Sequence, residues 1–154
     1  MPKLLTSRGD YGLLLMVDLA KSFGKEPKSL SEIATFYHLP QSFLEQIALD
    51  LRRGHLLAAR RGKAGGYFLN RRPEMISVIE VLEALEGPLQ VVSCQGGGCP
   101  AFPNCLTQEF WQVFQRHLHR TLRGITLADL VANRPHELLS LTNGEKNLRG
   151  AQKG

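Results

Sequence analysis

Apolar positions in the first half of the chain recur at helical spacing, in short runs with clear punctuation between them. Tyr11, Leu14, Leu15, Val17, Leu19 and Ala20 cover residues 8–22 broadly and predict a helix. A second, shorter helix opens at a capping box, Ser29 with Glu32, and runs to about Tyr37. The "HLP" turn follows. Pro40 suits the first position of a third helix, because its missing N–H has no intrahelical partner there. That helix runs to about Arg53, where Gly54 stops it. Leu44, Ile47, Ala48 and Leu51 form its apolar face, and Gln41, Ser42, Glu45 and Gln46 sit at its start, largely off that face.

The pattern then changes period. Leu56 to Arg60 and Tyr67 to Leu69 read as two short strands around a glycine-rich, basic tip, with Gly62, Gly65 and Gly66 freeing the turn. Another helix starts at the Ser77/Glu80 box and ends at Glu86, before Gly87 and Pro88. Farther on, Trp111, Phe114, Leu118 and Leu122 repeat at helical spacing in "TQEFWQVFQRHLHRTL", with Phe110 and Val113 alongside. A helix this apolar outside a small core needs a partner, and a second subunit is the economical one. Thr126 caps a last short helix, "LADLVA", and from about Arg134 the chain turns polar and loses periodicity.

Two helices joined by a tight turn, the second with a polar front end, form a helix-turn-helix; a hairpin directly after it is the wing of a winged helix. The expected fold is mainly α with a small β-hairpin wing. The expected organisation is a winged helix-turn-helix over residues 1–86, a cysteine loop over 87–106, a dimerisation helix and closing helix over 107–133, and a flexible tail over 134–154.

Charge sharpens this picture. The chain of 154 residues has a net charge of +5 and a pI near 9.4. Arg52, Arg53, Arg60, Arg61, Lys63, Arg71 and Arg72 fall between residues 52 and 72, with no acidic residue among them. This basic stretch coincides with the places where a winged helix meets phosphates and the minor groove. The expectation is sequence-specific binding to double-stranded DNA. Gln41, Ser42, Phe43, Glu45 and Gln46 would face the major groove, Arg60, Arg61 and Lys63 the minor groove, and Arg52 the backbone. Glu45 is suited to accept from a cytosine amino group.

No apolar run approaches the roughly twenty residues that span a bilayer. "LLLMVDLA" is interrupted by Asp18, and a cytoplasmic protein is expected. Thiols stay reduced there, so clustered cysteines point to metal or redox chemistry more than to disulfides. All three cysteines, Cys94, Cys99 and Cys105, lie in "SCQGGGCPAFPNCLTQEFW" with C-x4-C-x5-C spacing. Thiolate is the soft ligand that selects iron–sulfur clusters and zinc. Gly96, Gly97 and Gly98 let the backbone curl toward sulfur, and Pro100 and Pro103 stiffen it. Structural zinc sites usually show two close hooks, and this loop has a single broad arc. His117 and His119 lie on the downstream helix, a turn or more beyond obvious reach of the loop. Three readings follow: an iron–sulfur cluster, a zinc site, or cluster-free thiols that sense oxidation. An electron carrier or enzyme finds no nucleotide loop, paired carboxylate motif or second ligand set to support it.

Several segments, in order, resemble the iron–sulfur winged-helix regulators of the IscR and NsrR kind (the Rrf-two family). "LTSRGDYGLLLMVDLA" resembles the family's first helix, "FLEQIALDLRRGHLL" its recognition helix, and "RRGKAGGYFL" its wing. "CQGGGCPAFPNCLT" resembles its cluster loop and "GITLADLV" its closing helix, so that the likeness spans roughly residues 3–133. The resemblance implies a homodimer built by the long helices, a palindromic operator, and DNA affinity tuned by a redox-sensitive cluster. It also implies two candidates for a fourth ligand. IscR-type members commonly have C-x5-C-x5-C and a histidine three residues after the last cysteine, where this chain has Gln108. NsrR-type members take an aspartate from the first helix of the other subunit, and the matching residue here is Asp10. With Asp10, a 4Fe–4S cluster is favoured over 2Fe–2S.

Overall fold

The computed structural model describes residues 5–92, 99–101 and 104–133. Cys94, the glycine run 96–98, Pro103 and the tail from Arg134 lie outside the described residues. The elements run α1 (Ser7–Lys21), α2 (Leu30–Tyr37), α3 (Gln41–Arg53), β1 (Leu57–Arg60) and β2 (Gly66–Leu69). A 3-10 turn (Pro73–Met75), α4 (Val78–Glu86), α5 (Gln108–Gly124) and α6 (Leu127–Val131) complete them. This is a winged helix-turn-helix, mainly α with one antiparallel hairpin, as the hydrophobic pattern predicts.

Local chemistry sets the boundaries. Capping boxes open α2 at Ser29/Glu32, α4 at Ser77/Glu80 and α6 at Thr126/Asp129, each satisfying two N–H groups that a helix end leaves free. Pro40 sits one place earlier than expected. It is the N-cap of α3 and Gln41 is the first helical residue. His38, between α2 and α3, takes a left-handed conformation (φ 55°) and turns the chain.

The core forms where α1, α2, α3, α4 and α6 meet. Leu15, Met16, Leu44, Ile47, Leu51, Val81 and Leu127 are fully or almost fully buried there. α1 and α4 approach so closely at Gly12 that an added Cβ would lie 2.0 Å from Leu85 Cδ1. α6 returns to this core through a short β-bridge, Val78 N–H to the Ile125 carbonyl (2.8 Å) and Leu127 N–H to the Ile76 carbonyl (3.0 Å).

α5 is different. None of its 17 residues is buried. Its C-terminal end packs Leu122 against Val78, Ile79, Leu82 and Leu89, but Phe110, Val113 and Phe114 near its start are exposed.

Candidate DNA-binding face and cysteine loop

α3 presents the surface expected of it. Leu44, Ile47, Ala48 and Leu51 face inward, and Gln41, Ser42, Glu45 and Gln46 are exposed at the front. No side chain caps the helix, so its first-turn N–H groups stay available to an anion. Gln41 Nε2 donates to Glu45 Oε1 at 3.0 Å and so preorients the carboxylate. Phe43 is only half-buried, and its ring packs edge-on against Tyr11 with centroids 5.9 Å apart. Arg52 and Arg53 are exposed at the helix end, and Arg53 pairs with Asp50 at 3.2 Å.

The wing follows α3 directly. β1 and β2 pair from Leu57↔Leu69 to Arg60↔Gly66, one residue later and one earlier, respectively, than the sequence pattern suggested. Arg61 and Lys63 are exposed at the tip. Arg60 is engaged within the chain: its guanidinium pairs with Glu26 and donates to the Ala64 carbonyl at 2.9 Å. Glu26 was not singled out in the sequence, because the pair joins residues 34 positions apart.

α1 brings Asp10 to its exposed first turn, where the carboxylate makes no hydrogen bond or ion pair among the described residues. That turn is fixed by α4. Glu86 accepts from Thr6 N–H (3.1 Å), the Thr6 hydroxyl (2.6 Å) and Gly9 N–H (2.9 Å). Burial alone would raise the Glu86 pKa. The hydrogen bonds from Thr6 and Gly9 and the Arg8 charge outweigh it and hold the carboxyl below its usual range. Arg8 also pairs with Asp50 on α3, and its Nε donates to the Leu85 carbonyl at 3.3 Å. The first turn of α1 is thus tied both to the end of α4, where the cysteine loop begins, and to the recognition helix.

The described part of the loop ends at the start of α5. Cys99 and Cys105 are half-buried free thiols. Cys105 Sγ lies 3.4 Å from the Thr107 hydroxyl, and the N–H groups of Thr107 and Gln108 also point to it. These hydrogen bonds, Thr107's hydroxyl first, hold the thiol below its usual pKa, the direction that eases metal binding. Gln108 opens α5 and is half-buried. Among the described residues no three His, Cys, Asp or Glu side chains converge.

Two α5 residues, Gln115, which the sequence did not single out, and His119, which it placed beyond obvious reach of the loop, brace the loop's other end. Gln115 Oε1 accepts from Val91 N–H at 2.8 Å, and its amide nitrogen donates to the Leu89 carbonyl. His119 Nε2 meets the same carbonyl at 2.8 Å, which occupies that nitrogen, while His117 is exposed. The segment entering the loop and the helix leaving it are therefore joined by backbone-to-side-chain bonds. The i, i+4 spacing of Gln115 and His119 was the available signal.

Comparison with known proteins agrees with this arrangement. A family described as Rrf2, iron-dependent transcriptional regulators, matches residues 5–133. An HTH-type transcriptional regulator of Azotobacter vinelandii is 40% identical over 129 residues, covering 83% of this chain and 79% of that protein. The HTH-type transcriptional regulator IscR of Sodalis glossinidius is 37% identical over 144 residues, 93% of this chain and 86% of that one. Among solved structures, CymR, the global cysteine regulator of B. subtilis, superposes with a TM-score of 0.74 at 34% identity, covering 86% of this chain and 98% of its own.

Proposed function

The chain belongs to the Rrf2 family, a DNA-binding transcription regulator and not an enzyme, and from that premise we propose that it is a homodimer whose grip on a palindromic operator is tuned by an iron–sulfur cluster. Gln41, Ser42, Phe43, Glu45 and Gln46 face the major groove, with Glu45 held in place by Gln41 to read a cytosine amino group. Phe43, packed on Tyr11, contributes one edge of its ring. Arg61 and Lys63 reach the minor groove from the wing tip, Arg60 supports that tip, and Arg52 meets phosphate.

Cys94, Cys99 and Cys105 are the ligands, with Asp10 of the partner subunit as the fourth. The donor set suits the cofactor: hydrogen bonds from Thr107 lower the Cys105 pKa, and Asp10 is an exposed carboxylate with no competing partner among the described residues. A cluster held by these residues, 4Fe–4S in this reading rather than 2Fe–2S, would supply redox-labile ligation that links Asp10 to the partner's cysteine loop. Asp10 engaged across the interface fixes the first turn of its own α1. Through Arg8 and Asp50 that turn bears on the same subunit's α3. Releasing Asp10 lets α3 and its counterpart shift relative to the spacing of the two half-sites.

The observation that carries this reading is the position of Cys105 at the foot of α5, a helix with no buried residue that leads straight to the exposed Phe110 and Phe114. A ligand there touches the surface that a second subunit must cover. The test is protein isolated without oxygen, assayed for iron and acid-labile sulfide. Replacing any one cysteine with alanine abolishes most of both while the winged helix stays folded. Asp10→Ala alters the Mössbauer spectrum and Gln108→Ala does not. Stoichiometric zinc without sulfide replaces this reading with a zinc-site regulator, and metal-free protein whose DNA binding follows thiol oxidation replaces it with a thiol sensor.

A further inference from the structure

Asp18 stands inside the most apolar run of the chain and is 8% exposed, one of two buried polar residues among those described. A buried carboxylate is costly unless paired, and both oxygens of this one are used. Oδ2 takes the Lys28 ammonium at 2.8 Å, and Oδ1 accepts from the Tyr37 hydroxyl at 3.0 Å. Neither partner is on α1. Lys28 lies in the loop between α1 and α2, and Tyr37 is the last residue of α2.

Lys28 is also where the wing is attached. Its N–H donates to the Tyr67 carbonyl at 3.1 Å, and Tyr67 N–H donates back to the Lys28 carbonyl at 2.8 Å. β2 therefore pairs with β1 on one side and with Lys28 on the other. The fit is close: a Cβ on Gly66, whose φ is 151°, would lie 2.4 Å from the Lys28 carbonyl oxygen. Two residues earlier, Glu26 holds Arg60 of β1. The end of the hairpin next to its tip thus rests on residues 26–28, and that short segment is fastened to the helical core by the Asp18–Lys28 pair.

We propose that Asp18 is a positioning residue for DNA binding: it sets the wing's height against the recognition helix by holding Lys28, while Tyr37 ties the same carboxylate to the turn that launches α3. Asp18 touches no DNA itself. The proposal rests on the reading above that Lys63 and Arg61 meet the nucleic acid, and the experiment separates the two.

Operator affinity is measured across a salt series for the wild type, Lys63→Ala, Asp18→Asn and the double variant, together with amide hydrogen exchange. Lys63→Ala lowers the salt slope by about one. Asp18→Asn lowers it by at least as much, and in that background Lys63→Ala has little further effect, because a displaced wing has already lost its contacts. Discrimination at the base read by Glu45 is kept. Exchange at Tyr67 N–H rises about tenfold or more, while Leu15 and Ile47 in the core are unchanged. Lys28→Met, which keeps the backbone pairing and the apolar stem but removes the charge, gives the same pattern if Asp18→Asn folds poorly. Unchanged Tyr67 exchange, or a full Lys63→Ala effect persisting in Asp18→Asn, overturns the proposal. Faster Tyr67 exchange with a wild-type slope that ignores Lys63→Ala keeps the anchor and rejects the wing contact.

Discussion

The winged helix and α5 both carry apolar side chains at helical spacing but differ in where those side chains end. In the winged helix they close on themselves. Leu15, Met16, Ile47, Leu51 and Val81 are at most 1% exposed within one chain. On α5, Phe110 is 58% exposed, Val113 50% and Phe114 45%. Phe110, Trp111 and Phe114 still find one another, with ring centroids 4.9 to 6.4 Å apart, so the aromatic cluster is formed before anything covers it. The first region is finished by its own fold; the second is a surface, larger and more aromatic than isolated exposed residues require. A regulator divided in this way can hold its DNA-reading unit rigid while the relation between two such units remains adjustable.

The sharpest break in that comparison comes from truncating one side chain in each region. Leu51→Ala should cost about 2–5 kcal/mol in denaturant unfolding, because the cavity it leaves is walled by helices on several sides. Phe114→Ala should leave the unfolding of dilute, monomeric protein within about 0.5 kcal/mol. Phe110→Asp with Phe114→Asp should convert a sedimenting dimer to monomer without loss of far-UV helicity. A large stability loss from Phe114→Ala in the monomer would show that α5 belongs to the core after all.

A smaller effect probes the seam between α1 and α4. Gly12→Ala forces its Cβ against Leu85 and should destabilise by about 1–3 kcal/mol, with operator affinity falling as α1 shifts. Normal stability would mean that Leu85 simply swings aside.

The smallest expected change is in acid. The Glu86 carboxyl is held below its ordinary value of 4.5, so the charged form binds protons less readily folded than unfolded. Its contribution is present above the unfolded pKa and is lost as pH falls from about 4.5 through the depressed value. Glu86→Gln should therefore lower stability by about 1 kcal/mol or less near neutrality and flatten this part of the acid limb. An unchanged acid limb would assign the pH dependence to other carboxylates, with Glu80, held low chiefly by Ser77 and Arg71 against its own burial, the first alternative.

These features were unevenly legible in the sequence. Two of the three capping boxes, the Thr126 cap of the third, the apolar face of α3 and the basic tip were readable because each depends on residues close in sequence. Pro40 was displaced by one position because its fixed φ serves an N-cap as well as a first helical residue. The 3-10 turn at Pro73–Met75 carried no periodic signal. The Arg60–Glu26 pair and the packing of Phe43 on Tyr11 gave no local signal, since each joins residues more than thirty positions apart. Asp18 was visible only as an interruption of an apolar run. What it does depends on Lys28 and Tyr67 meeting in space. Local chemistry writes the elements; the pairs that orient them against one another are long-range, and composition does not disclose them.

The central claim is that the state of the cysteine loop changes how the two DNA-reading units fit an operator. The most direct measurement is operator affinity of one anaerobic preparation, before and after its iron and sulfide are removed, with sedimentation and far-UV spectra recorded on the same samples. The account predicts an affinity change of about tenfold or more, equivalent to about 1.4 kcal/mol, with helicity intact. Equal affinity in the two states, from protein shown to hold stoichiometric iron and sulfide at the start, would contradict it.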